Sequence, residues 1–288
     1  IRDSPRFEPF VNANKHPNFV MAAQELAPAW KAGNFPSVSG VITIDLTAIA
    51  ALLNTTGPIH SDSYGEVTGD QLGQILLINA YQEVANAIAR QEANQVLLQS
   101  LLERMLSGDD VIPAMKAVAS TAPGRHLQVW VENPELQRTA QKYGFAGYLN
   151  PARNADWSAV YTQNANQSKV DVFQQRTIAI NATLQEDGSA HVTQTITVTN
   201  ATPADRPEGP ASRIGYLTSW LQASYMFYAP DRAINATVTA PAGFEPRPFV
   251  GKLDENGWTP DGFGHRLTRW YGWTPPGGSN QFTLSYDL

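Results

Sequence analysis

Four groups of side chains in this sequence have types and spacing suited to chemistry. Arg90-Gln91 stands inside a helical pattern and is followed by a broad aliphatic face. A guanidinium there can fork onto a phosphate while its neighbours build a core or a lipid groove; the plainer reading is a solvated Arg on a helix surface. Asp45 closes a short β-branched run. A carboxylate in that place holds a metal or orients a cationic group beside a ligand crevice, although the commoner role of such an Asp is to start the following helix. Asp62, Glu66 and Asp70 cluster in a Gly-containing loop before a long helical segment, where carboxylates bind a cation or favour the helix N-terminus through its dipole. Trp270-Tyr271-Gly272-Trp273 lies in an alternating run, so Trp270 and Tyr271 point to opposite faces of a strand and one is available to stack on a sugar ring. Filling a core is the competing use of the same rings.

Other chemistries lose ground. The histidines (His16, His60, His126, His191, His265) are scattered with no i,i+4 pair and no acidic partner at ligand spacing, which argues against a dedicated zinc site. The chain holds no cysteine, so disulfides, thiolate nucleophiles and Cys-type metal sites are excluded. GxSxG, GxGxxG and the phosphate loop GxxxxGK[ST] are absent, which lowers the common hydrolase and nucleotide-binding classes. Asn54, Asn166, Asn181, Asn200 and Asn235 begin N-x-[ST] triplets, informative only in a secretory host.

These residues must be positioned by two kinds of element. Residues 41–46 alternate apolar with polar as a strand does, and Leu46, Ile49, Ala50, Leu52 and Leu53 then recur at helical spacing until Gly57-Pro58. Thr68-Gly-Asp-Gln71 reads as a capping box opening a long helical region that runs to Ser107-Gly108, with a break near Val84 to Asn86. Asp109 or Asp110 caps a further helix, Leu127, Val129 and Val131 alternate in a strand, and Asn133-Pro134-Glu135 starts a last helix. After Asn150-Pro151, Thr, Val, Ile and aromatic residues take over. Runs at 174–185 and 190–199 joined by Asp187-Gly188 predict a hairpin, and strands are expected at 224–228, 234–239, 266–273 and 282–288. The prediction is an α+β chain: an α/β domain with a mixed sheet over residues 1–157, then an antiparallel β-sandwich over 158–288.

Composition fits that frame. The 288 residues are 42% hydrophobic and 16% charged with a net charge of −6, a folded chain of one or two domains. The small acidic surplus is spread along the sequence, so no basic footprint for nucleic acid exists. The most apolar stretch, residues 40–59, is interrupted by Asp45, Thr47, Asn54 and Thr55 and falls short of a membrane-spanning helix.

"GVITIDLTAIAALLNTTGPI" (40–59) and "ARQEANQVLLQSLLERML" (89–106) resemble an uncharacterised family of actinobacterial envelope proteins, which in turn resembles the LytR-CpsA-Psr phosphotransferases; "VNANKHPNF" (11–19) and "SKVDVFQQRTIAI" (168–180) are similar to that uncharacterised family as well. The resemblance implies an extracytoplasmic cell-envelope protein, membrane-anchored by a segment preceding Ile1, that binds or transfers a polyprenyl-linked cell-wall glycan. The alternative is a non-catalytic envelope scaffold that binds glycan or a protein partner. In the phosphotransferases arginines hold the pyrophosphate and an acid assists Mg²⁺. Carried over, Arg90 alone matches, as the Arg of the Arg-Gln pair; Asp45 and Asp70 are the candidate orienting or Mg²⁺-assisting acids, and Trp270, Tyr271 and Trp273 the candidate glycan contacts. The phosphotransferases carry further arginines before that pair, whereas Ile78 to Ala89 contains none. Their N-terminal strand with its Asp and Arg has no counterpart after Ile1; and because relatives in the uncharacterised family carry a strand-rich segment upstream of the "VNANKHPNF" region, the chain is expected to be a fragment lacking part of its α/β sheet.

Overall fold

A computed structural model describes residues 14–83, 86–106, 111–149, 156–166, 168–207, 216–249, 251–261 and 264–288, and the chain divides into two units, Ile1–Leu149 and Asn150–Leu288. The first unit opens with α1 (Phe19–Ala32), where no element is predicted; Asn18 caps it by accepting from the Val20 amide, and Pro28 inside the helix is the breaker that hides it from a sequence reading. β1 (Gly40–Ile44) leads into α2 (Leu46–Thr56), and β2 (Ile59–Ser61) pairs with β3 (Gly65–Val67) as a small hairpin.

The long helical region is divided. α3 (Leu72–Gln74) and α4 (Ala80–Glu83) flank a π-helical turn at Ile75–Asn79, and α5 (Ala87–Leu106) begins afresh behind Asn86, whose Oδ1 accepts from the Ile88 and Ala89 amides. The expected capping box does not form: the Thr68 hydroxyl donates to Gln71 Oε1 at 3.1 Å, and α3 starts without a side-chain cap. The physical reason is Gly69, whose backbone lies so close to Ala50 and Asn54 of α2 that the turn is set by packing. α6 (Val111–Ala119), β4 (Leu127–Val131) and α7 (Pro134–Lys142) complete the unit. The Ser107-Gly108 stop and the Asp109 or Asp110 cap lie outside the described residues.

β1 and β4 pair antiparallel, with Val41 opposite Trp130 and Ile44 opposite Leu127. Val41 and Trp130 pack against Phe19, Ala22 and Ala23 of α1. Ile44 and Leu127 join the main apolar cluster, built on Leu52, Leu53, Leu72 and Leu97. Among the described residues the sheets of this unit are therefore two antiparallel pairs, where one mixed sheet was expected. Alternation in a β-branched run identifies a strand without giving the direction of its partner.

The second unit is a sandwich. One sheet runs in the order β10 (Glu245–Pro246), β12 (Arg266–Thr274), β8 (Leu221–Ala229), β5 (Ala159–Asn164), with β11 (Thr259–Pro260) on β12; the other runs β6 (Gln174–Leu184), β7 (Ala190–Asn200), β13 (Ser279–Asp287), β9 (Ile234–Thr239). All pairings are antiparallel. Ile196, Val198, Tyr225, Phe227, Phe282 and Leu284 share one core between the sheets, with the Tyr225 and Phe282 rings 5.0 Å apart. The Arg176 guanidinium of β6 reaches across to donate to the Val160 carbonyl of β5 at 2.9 Å. Period-2 alternation accounts for β6, β7, β12 and β13; β5, β10 and β11 were too short or too mixed to announce themselves.

Candidate functional site

The residues singled out from sequence occupy separate places. Asp45 is the N-cap of α2, its Oδ1 accepting from the Thr47 amide at 2.9 Å and the Ala48 amide at 3.2 Å. Its Oδ2 lies 2.7 Å from His126 Nδ1. Asp45 therefore starts the helix, and its second oxygen meets the His126 ring. Asp70 sits exposed in the turn before α3. Arg90 is 8% exposed, on the side of α5 that also buries Ala93, Leu97 and Leu101. Its guanidinium carbon stacks 4.3 Å over the Tyr81 ring, beside the Tyr64 hydroxyl that donates to Asn94 at 2.7 Å. The solvated-surface reading of Arg90 is corrected: three- and four-residue spacing aligns it with the core stripe. The opposite side of α5 exposes Ile88, Leu98, Leu102 and Leu106.

The resemblance raises Mg²⁺, and the donors do not fit it. Both Asp45 oxygens are engaged by backbone amides and an imidazole, and among the described residues no three His, Asp or Glu side chains converge as a metal site.

Within β12 the aromatic motif divides as alternation requires. Trp270 packs against the inter-sheet core, Tyr271 lies under the Arg247 guanidinium at 4.3 Å, and Trp273, 37% exposed, meets Trp220 edge-on at 6.2 Å. Core filling claims the first ring and an Arg stack the second. Trp273 alone presents much of its surface to solvent.

Three histidines hold an Asp through Nδ1; two of the partners are distant in sequence, and the third, Asp261, stands four residues before His265, a spacing the sequence reading passed over. His265 and Asp261 meet at 2.8 Å with side chains 5% and 0% exposed, the ring against Trp157. His126–Asp45 pins the N-terminus of α2. His191 and Asp287 meet at 2.6 Å and remain accessible, at 49% and 34% exposure.

That third pair belongs to a surface the sequence reading did not single out, the outer face of the four-stranded sheet. Register places Thr183, His191, Asp287 and the exposed Ile234 in one cross-strand row, then Asn181, Thr193, Ser285 and Thr237, then Ala179, Thr195, Thr283 and Thr239, then Thr177, Thr197 and Gln281, then Gln175, Thr199 and Ser279. Strand spacing and rise make this face about 14 Å by about 27 Å. It is almost wholly hydroxyl and amide, with its charged pair in a single row at one end. The signal was present in part: the residues that alternate with Phe282, Leu284, Tyr286 and Leu288 are Thr283, Ser285 and Asp287, all polar.

At the charged end, Asp287 Oδ1 takes His191 Nδ1 and Oδ2 accepts from Asn235 Nδ2 at 2.9 Å. His191 Nε2 lies 3.2 Å from Ser285 Oγ and 3.4 Å from Thr193 Oγ1. A carboxylate only accepts, so Nδ1 carries the proton and Nε2 of the neutral ring is the acceptor facing Ser285. The Asn235 amide, first, and His191 hold the Asp287 carboxyl below the usual carboxylate range. The β13–β9 pairing shifts register between Ser285 and Asp287, and Asn235 sits in the left-handed region at φ 52°. Bulges and such residues gather where a side chain must be re-aimed.

No helix among the described residues is long and apolar enough to cross a membrane. No curated protein and no solved structure matches the chain. Residues 4–81, a stretch that includes Asp45 and Asp70 but stops short of Arg90 and of the whole sandwich, match a family described as a protein of unknown function, DUF4012.

Proposed function

We propose that this protein is an extracytoplasmic envelope protein that binds a cell-wall glycopolymer, with the glycan lying along the outer face of β6, β7, β13 and β9. The observation that carries the reading is the composition of that face: aligned cross-strand rows of Thr, Ser, Asn and Gln. Hydroxyls and amides both donate and accept, which matches the hydroxyl-rich surface of a sugar chain without a charge to desolvate. The envelope setting rests on the resemblance of residues 40–59 and 89–106. Binding is favoured over phosphoryl transfer because Arg90 turns to the core side of its helix and Asp45 spends both oxygens on a cap and an imidazole.

The test is retention of the purified chain on insoluble cell-wall polysaccharide, comparing wild type with the triple variant Thr195→Val, Thr197→Val, Thr283→Val. Valine keeps shape and strand propensity and removes only the hydroxyl. Three lost hydrogen bonds at about 1 kcal/mol each weaken binding by roughly 100-fold. Unchanged retention of the triple variant, or loss of retention in Trp273→Ala instead, sinks this placement.

A second reading is favoured by the exposed Ile88, Leu98, Leu102 and Leu106 of α5: contact of this helix with the polyprenyl tail of a lipid-linked glycan. Co-sedimentation with vesicles containing a polyprenyl phosphate, abolished by Leu98→Gln with Leu102→Gln, supports it; equal sedimentation of the variant rejects it.

A further inference from the structure

We propose that Ser285, His191 and Asp287 form a hydrolytic triad that removes ester-linked acyl groups. The geometry is that of an activated hydroxyl: Ser285 Oγ to His191 Nε2 is 3.2 Å, and His191 Nδ1 to Asp287 Oδ1 is 2.6 Å. Each member has its own positioning device. Asn235 anchors the second Asp287 oxygen, the register shift in β13 separates Ser285 from Asp287 in the pairing with β9, and the β7–β13 register sets His191 directly across from Asp287.

The step balances with water as the only co-reactant. Ser285 Oγ attacks the acyl carbon as its proton passes to His191 Nε2; the ester C–O bond breaks, and the leaving alcohol takes that proton from Nε2. Water then gives a proton to Nε2 and its oxygen to the acyl carbon, the C–Oγ bond breaks, and Ser285 recovers the proton. The products are a carboxylic acid and an alcohol. The carbonyl oxygen gains negative charge in both halves. The hydroxyls of Thr193 and Thr237, the neighbours of Ser285 on either flanking strand, are the donors nearest to it in register. Asp287 is a positioning residue: it fixes the tautomer and steadies the imidazolium.

Because the triad occupies one end of the hydroxyl-rich face, the substrate class it fits is an O-acylated polysaccharide. That part rests on the glycan reading; the activated serine does not, and the experiment keeps the two apart.

The full chain is treated with a fluorophosphonate, which forms an Oγ–P bond with loss of fluoride only at an activated serine, and the adduct is located by peptide mass spectrometry. The expected result is one adduct, on Ser285, slowed by about 100-fold or more in His191→Ala and in Asp287→Asn. A second measurement uses the absence of native cysteine: Ser285→Cys carries the only thiol in the chain, and iodoacetamide should alkylate it at least about tenfold faster than Ser279→Cys on the same strand and face, the excess vanishing when His191→Ala is added. A folded chain without an adduct on Ser285, an adduct indifferent to His191, or equal alkylation at 285 and 279 each overturns the proposal. Neither measurement contains glycan, so loss of polysaccharide retention in the threonine variant leaves the triad standing, and an inert Ser285 leaves polysaccharide binding standing. Release of acetate from O-acetylated polysaccharide by wild type and not by Ser285→Ala joins the two.

Discussion

Replacing Asp45 separates a structural carboxylate from a chemical one. Its Oδ1 satisfies two of the orphan amides at the start of α2, and its Oδ2 meets His126. In Asp45→Ala both are lost. The cap contributes about 1–2 kcal/mol; the His126 contact, between side chains 36% and 53% exposed, adds no more than about 1 kcal/mol in solvent-screened surroundings. The sum is about 2 kcal/mol, which moves the midpoint of a unit of roughly 150 residues by about 4–8 °C. Asp45→Asn keeps an N-cap of equal rank through Oδ1, and its Nδ2 can donate to Nδ1 in the other tautomer of the His126 ring, so its cost stays below about 0.5 kcal/mol. Calorimetry of both variants, with hydrogen exchange at the Thr47 and Ala48 amides as the local readout, checks the pair of values. If Asn is as damaging as Ala, the carboxylate charge and not the cap is what the fold needs, and the assignment of Asp45 to the helix start is wrong.

Arg90→Ala is expected to destabilise by about 2 kcal/mol through loss of the stack on Tyr81 and of the buried stem, without changing the retention of polysaccharide; a specific loss of phosphate-analogue binding with unchanged stability would restore the phosphate-clamp role. Gly69→Ala places a Cβ 2.6 Å from the Ala50 carbonyl oxygen and should cost about 1–3 kcal/mol in a denaturant titration. Burial pushes the Tyr225 and Tyr286 phenols up to about 12 from 10.0. The neutral phenol is the form the sandwich favours, so this contribution is whole below pH 10 and is lost as pH rises towards 12; each shift corresponds to about 3 kcal/mol at most. Denaturant midpoints followed from pH 8 upward should fall in that window, and Tyr225→Phe should remove part of the fall.

Much of the fold could be read one segment at a time. Alternation marks β6, β7, β12 and β13, Asp187-Gly188 turns the hairpin, and Asn133-Pro134-Glu135 opens α7, where Asn133 Oδ1 accepts from the Glu135 and Leu136 amides. The misses have local causes too. Pro28 disguises α1, Gly69 replaces a cap with close packing, and β5 mixes Tyr, Thr and Gln too evenly to show a period. Among the candidate residues, the sequence correctly put Trp270 and Tyr271 on opposite faces of one strand but did not say that Arg247 covers Tyr271.

Which residues share a face is legible along the chain, because strand and helix periods are properties of the local backbone: Ser285 falls with Asp287, and Thr193 with Thr195, Thr197 and Thr199. Which faces meet depends on packing between elements far apart in the chain. His191 reaches Asp287 across 96 residues of chain, and His126 reaches Asp45 across 81; those pairings follow from the register in which β7 meets β13 and β1 meets β4, and register is set by how long-range cores pack. A period records what a residue points toward in its own element. It carries no information about the strand that comes to lie alongside, and here that neighbouring strand brings His191 to Asp287.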